Sequence, residues 1–225
     1  MRVDYLKSIE DPVSLIESAA ATCYNTNDYK KGTILKHCYN SGHHSVLEFA
    51  DFTFRVDGIS RAAANQLVRH RIASYAQRSQ RYCLEDNSKN IIPQKILNRS
   101  DAKEEVENFY KLQHDLYLKL INEHKIPIED ARYILSNSHE TTIYVKMNLR
   151  SLTNFFNERL CATSQWEIRK LAKIMRSELI QQHPEIDFML VPKCEKDPSI
   201  KFCSEPERKW CGRQPHRNMG TFYIP

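Results

Sequence analysis

No apolar stretch in the 225 residues approaches the length of a membrane span, and the opening Met1-Arg2-Val3-Asp4 does not read as a signal peptide. No strict internal repeat runs along the chain. The seven cysteines include no Cys-x-x-Cys pair. Cys194, Cys203 and Cys211, followed by His216, are therefore weak grounds for zinc, and no metal is expected. An odd count of scattered thiols fits a reduced, cytoplasmic protein. None of these cysteines lies in a nucleophile motif with a partnered base, and no His/Asp pair is evident for a serine triad. The net charge of +5 favours anionic ligands but is too mild to establish nucleic-acid binding.

Carboxylates are missing locally as well. From Arg69 to Tyr82 the chain carries Arg69, His70, Arg71, Gln77, Arg78, Ser79 and Arg81 with no acidic residue among them. Solvated surfaces usually mix in carboxylates, so such a run calls for an anionic partner. The arginine fork matches phosphate bidentately, and serine or backbone N–H groups complete the cradle. Upstream, Ala62, Ala63, Gln66, Leu67, Arg69 and His70 recur at helical steps from Ser60. The spacing predicts a helix ending near 72–74 that feeds a loop carrying Gln77, Arg78, Ser79 and Arg81.

Elsewhere helical and alternating patterns mix. Asp11-Pro12 starts a helix with Val13, Leu15, Ile16, Ala19 and Ala20 inward. A second helix, with Ile34, Leu35, Cys38 and Tyr39, stops at Gly42. Phe52, Phe54 and Val56 alternate with polar residues as a half-buried strand, and so do Ile143, Val145 and Met147. A long helix is expected from Ser100 to about His124, with Val106, Phe109, Tyr110, Leu116, Tyr117, Leu120 and Ile121 as its core stripe. Pro127 opens a short helix holding Ala131, Arg132 and Leu135. Ser151 is expected to cap the next helix, and Ser164 to Glu167 to form a capping box for a last one ending at His183-Pro184. The expected fold is α+β: a small, largely antiparallel sheet packed with several helices. Residues 1–190 form the expected catalytic domain, and 191–225 an irregular, cysteine-containing extension.

Two further constellations carry polar groups. Gly42-His43-His44-Ser45-Val46-Leu47-Glu48 supplies His43, Ser45 and Glu48 to a polar ligand, or else forms a helix-end histidine and an ordinary loop. Its adjacent histidines lack the i, i+4 geometry of a helical metal pair. Asn148, Arg150, Asn154 and Arg159 lie along a segment whose Leu152, Phe155 and Phe156 form a core stripe, so they are ligand groups or a solvated face.

Arg69, His70 and Arg71, followed at fixed spacing by Ser79 and Arg81, resemble the signature of flavin-dependent thymidylate synthases. His43, Ser45 and Glu48 match a Gly-His-x-Ser-x-x-Glu-like segment of that family. Asn148, Arg150, Asn154 and Arg159, followed by Gln165-Trp166-Glu167-Ile168-Arg169, match another. Arg132 falls where the family carries an arginine for the nucleotide. The resemblance spans roughly residues 20–180. It implies methylation of dUMP to dTMP with FAD, with methylenetetrahydrofolate as one-carbon donor and NADPH as reductant. It implies that Gln66, Arg69, Gln77, Arg78, Ser79, Arg81, Arg132 and Arg159 bind dUMP. His43, Ser45, Glu48, Arg69, His70, Arg71, Asn148, Arg150 and Asn154 would surround FAD and the folate. Arg159 would stabilise developing charge, with Ser79 an active-site residue rather than an obligate nucleophile. A homotetramer with shared active sites is implied, with small molecules rather than nucleic acid or membrane as partners. A paralogous flavoenzyme for another pyrimidine nucleotide, or a non-catalytic nucleotide- or RNA-binding module, are the alternative readings.

Overall fold

The computed structural model describes residues 1–23, 29–86, 89–196 and 199–218. The last residues of the expected extension, 219–225, lie outside them. In chain order the elements are β1 (Arg2–Ser8), α1 (Pro12–Thr22), α2 (Thr33–Asn40), β2 (Asp51–Ser60), α3 (Arg61–Leu67) and β3 (Ser74–Gln77). There follow α4 (Gln94–Leu97), α5 (Ser100–Asn122), α6 (Ile128–Ala131), β4 (Glu140–Asn148), α7 (Leu149–Arg159), α8 (Trp166–Gln182) and α9 (Lys193–Lys196). The four strands form one antiparallel sheet in the order β1-β2-β4-β3, so the α+β expectation holds.

Period-2 alternation explains the central strands. Phe52, Phe54 and Val56 of β2, and Ile143, Val145 and Met147 of β4, are all fully buried. Each such side chain contributes about 1.5–3 kcal/mol relative to exposure.

The chain forms two compact units. One comprises Met1–Arg2, Val56–Arg69 and Tyr75–Tyr144; the other comprises Val3–Arg55, His70–Ser74 and the chain from Val145 onward. In the first, α5 packs against α4 and α6. Its expected core stripe is only partly right. Tyr117 is buried, Val106, Tyr110, Leu120 and Ile121 are half-buried, and Phe109 and Leu116 are exposed. Leu112 is 69 % exposed, so apolar residues occupy more of the helix circumference than its own chain covers.

In the second unit, α1 packs on α2 and on a 3-10 helix at His44–Phe49, which also meets α7. Asp11 caps α1 by accepting from the Ser14 N–H. The buried Glu17 carboxylate accepts from the Gly32 and Leu35 N–H groups, satisfying donors at the start of α2. Gly42, at φ 78, then turns the chain out of α2 toward the 3-10 helix.

Four expected boundaries need correction, one being the helix after Pro127, which ends at Ala131 and leaves Arg132 in a 3-10 turn and Leu135 extended beyond it. The helix after Ser60 ends at Leu67 rather than near 72–74, because the Tyr75 hydroxyl donates to the Leu67 carbonyl and Ser74–Gln77 joins the sheet as β3. The cap of α7 is Asn148, whose Oδ1 accepts from the Ser151 N–H, so Ser151 lies inside the helix. Gln165 caps α8 by accepting from Glu167 and Ile168, whereas the Ser164 hydroxyl donates to the Glu158 carbonyl.

Candidate active site

The sequence-predicted residues fall into two groups, one in each unit. Gln66, Arg69, Gln77, Arg78, Ser79, Arg81 and Arg132 belong to the first unit. Gln66 is on the last turn of α3, and Arg69 lies two residues past its end. Gln77 ends β3, and the Arg78 N–H donates to the Thr142 carbonyl, extending the strand pairing by one bond.

The Arg78 guanidinium donates to the Leu84 carbonyl and lies 3.4 Å from the buried Glu85 carboxylate, while its own carbonyl accepts from Arg61. These contacts brace the loop from within. Ser79 closes a turn: its hydroxyl accepts from the Arg81 N–H and its carbonyl from the Cys83 N–H.

Glu129 gathers two of the expected phosphate-binding arginines. Its carboxylate pairs with Arg81 Nε at 2.6 Å, and its backbone carbonyl accepts from Arg132 Nε at 2.9 Å. Two guanidinium groups and the Ser79 turn are thereby held beside one another. The sequence reading missed Glu129, although its position one turn before Arg132 was the available signal. Both members of the Arg81–Glu129 pair are about half exposed, so the pair orients the fork more than it stabilises the fold.

The second unit holds His43, Ser45, Glu48, His70, Arg71, Asn148, Arg150, Asn154 and Arg159. Glu48, on the 3-10 helix, accepts from Arg150 Nη1 at 2.5 Å. Two of the sequence constellations thus meet in space. His43, Ser45, Arg71 and Asn154 are exposed. Among the described residues the guanidinium groups of Arg69 and Arg71 have no hydrogen-bond or ion-pair partner. Asn148 uses its side-chain oxygen in the α7 cap, which orients the amide at the strand-to-helix turn.

Arg159 Nε donates to His70 Nε2 at 3.0 Å. Arginine has no acceptor, so Nε2 must carry a lone pair and the His70 proton sits on Nδ1. Burial and the adjacent Arg159 charge push the His70 pKa down from 6.5 to about 4, consistent with a neutral ring. Phe155 meets the imidazole edge-on at 5.0 Å and fixes its plane. Among the described residues the Arg159 Nη groups have no partner, leaving a planar edge of donors.

Thymidylate synthase complementing protein (Thy1) is the family that matches, over residues 4–185. A flavin-dependent thymidylate synthase of Nitratidesulfovibrio vulgaris is 35% identical, with 96% of both chains covered. One of Clostridium tetani is 37% identical over 86% of this chain and 88% of its own. Among solved structures, the flavin-dependent thymidylate synthase ThyX of Helicobacter pylori, complexed with FAD and dUMP, superposes with a TM-score of 0.70 at 27% identity. That match covers 85% of this chain and 100% of the other. With the arginine run, the Glu48–Arg150 pair and the His70–Arg159 pair all inside the matched region, the chain belongs to the flavin-dependent thymidylate synthase family.

Proposed function

We infer that this chain converts dUMP to dTMP by flavin-dependent reductive methylation. Family membership across residues 4–185 carries the reading. The chemistry of the residues supports it. A dinucleotide diphosphate is anionic, and Arg69 and Arg71 are exposed cations with no partner among the described residues, so the chain fits FAD. In this reading Arg69, His70, Arg71, His43, Ser45, Glu48, Asn148, Arg150 and Asn154 surround FAD and the folate. FAD, when bound, supplies the redox chemistry that side chains cannot. Methylenetetrahydrofolate is the one-carbon donor and NADPH the reductant.

The protein's own work is orientation and electrostatics. Carbon 5 of uracil is a weak nucleophile, and it gains electron density when the pyrimidine is activated to an anionic form whose negative charge rests on the ring carbonyls. A preorganised Arg159 fork at those carbonyls stabilises that charge without reorganisation during the step. Neutral His70 is its positioning residue: protonation would remove the acceptor that aims Arg159. Ser79, Arg81 and Arg132 hold the nucleotide phosphate, and a dianion competes with Glu129 for Arg81. Gln66, Arg69, Gln77 and Arg78 complete the dUMP side. Ser79 hydrogen-bonds substrate and is not an obligate covalent nucleophile.

The exposed Phe109, Leu112 and Leu116 on α5 support assembly, here a homotetramer whose active sites draw on more than one chain. Residues 1–190 carry the catalysis and 191–225 an extension. Seven free thiols support a cytoplasmic setting. No helix of the described residues is long and apolar enough to cross a membrane.

The test is reconstitution with FAD, followed by assay with dUMP, methylenetetrahydrofolate and NADPH. The expected outcome is flavin absorbance that bleaches with NADPH, and formation of dTMP. Protein that binds no flavin and makes no dTMP overturns the reading.

A further inference from the structure

Cys161, Cys194, Cys203 and Cys211 all line one cavity of about 120 Å³ in the second unit. Cys161 follows the C-terminal end of α7, Cys194 lies on α9, and the other two come from the extension. The space is small beside the roughly 300–1,000 Å³ of a small-molecule pocket. It is too small for a nucleotide or a flavin.

The structure changes the donor set that the sequence offered. His216, the imidazole nearest the three tail cysteines in sequence, has both ring nitrogens engaged. Nε2 lies 2.8 Å from the Glu205 carbonyl, and Nδ1 accepts from the Asn218 N–H at 3.3 Å. Cys161, which lies far upstream in sequence, takes its place as the fourth donor on the cavity wall.

We propose that Cys161, Cys194, Cys203 and Cys211 form a structural zinc site that fastens the extension to the end of α7. Four thiolates leave no open position for substrate, the arrangement of a closed structural site, and sulfur donors select zinc over the harder magnesium or calcium. Binding is proton exchange without electron transfer: four Zn–S bonds form, and four thiol protons leave to solvent. The product carries a net charge of two minus. Lys193, Lys209 and Arg213 share the cavity wall with a single carboxylate, Glu205; Lys193 pairs with Glu205 and Arg213 with Glu195, which leaves Lys209 as the cation to offset that charge. Gly212, at φ 79, turns the backbone immediately after Cys211, a conformation that lets main-chain N–H groups face an anion.

The extension also needs a fastener. From Lys193 onward only Cys203 and His216 are buried among the described residues. Its helical pieces, Lys193–Lys196 and Glu207–Lys209, are about one turn each. Ordering costs roughly 1–2 kcal/mol per residue, which so little burial does not offset, and a structural zinc site adds its binding free energy to the folded side. Among the described residues no three histidine, cysteine, aspartate or glutamate side chains are yet grouped to hold a metal. Binding therefore draws the thiols inward across the cavity.

Zinc content of the full chain, purified anaerobically from zinc-supplemented culture, tests the proposal. One zinc per chain is expected. Cys161→Ser and Cys203→Ser should each reduce it at least tenfold, whereas Cys83→Ser, at a thiol outside the cavity, should retain it. Should the cavity variants prove insoluble, cobalt exchange into the unaltered protein decides: the intense visible absorption of tetrahedral cobalt tetrathiolate is expected. Zinc-free protein that takes up no cobalt, zinc retained in Cys161→Ser, or a disulfide mapped among the four cysteines overturns the proposal. Flavin content does not enter any of these measurements.

Discussion

Arg159 and His70 form a pair in which the donor–acceptor rule fixes the protonation state before any titration is considered. Arg159→Lys keeps the charge but loses the planar fork and the Nε donor to His70. Turnover should fall by about two to three orders of magnitude while the circular dichroism spectrum is retained. Near-normal kcat in Arg159→Lys would remove Arg159 from the reacting site. His70 makes a separate prediction about pH. Its folded pKa of about 4 lies below the ordinary 6.5, so between these values the unfolded chain takes up a proton that the folded chain refuses. This contribution to stability is complete above about 6.5 and is lost as the pH falls toward 4. His70→Gln should flatten that part of the stability–pH curve measured by denaturant titration. An unchanged slope would place the ring in a solvated setting.

Among the elements, α5 and α7 contrast in how completely their apolar residues are covered. The Leu152, Phe155 and Phe156 stripe of α7 is fully buried, whereas Phe109, Leu112 and Leu116 of α5 face outward. Replacing an exposed leucine removes few contacts within its own chain. Leu112→Glu should thus leave the thermal midpoint of the isolated chain nearly unchanged but shift sedimentation from a tetramer to smaller species. A tetramer that survives the substitution would mean that another surface assembles the protein.

For the whole molecule, the two residue groups belong to different compact units. If active sites are shared between chains, inactive Arg81→Ala and inactive Arg159→Ala proteins should complement each other. Mixing them under subunit exchange is expected to restore part of the dTMP-forming activity, read against each variant alone. No recovery despite verified exchange would require each site to take both arginines from one chain.

Local chemistry was enough to reveal much of this protein. Period-2 alternation identified β2 and β4, Asp11-Pro12 identified the start of α1, and the carboxylate-free run from Arg69 to Tyr82 holds residues of both groups. These signals act within a few residues, through side-chain alternation, capping and charge. Tertiary structure decided what depends on distant partners. The Tyr75 hydroxyl reaches back to Leu67 and ends α3 early, and Glu129 collects Arg81 and Arg132 from separate segments. Helical period shows which residues share a face of α5 but not whether the chain has anything to cover that face. The thiols show the same division. Spacing exposed three tail cysteines and a histidine, but only the folded chain could exchange that histidine for Cys161, because cavity walls are shared by residues that sequence order keeps apart.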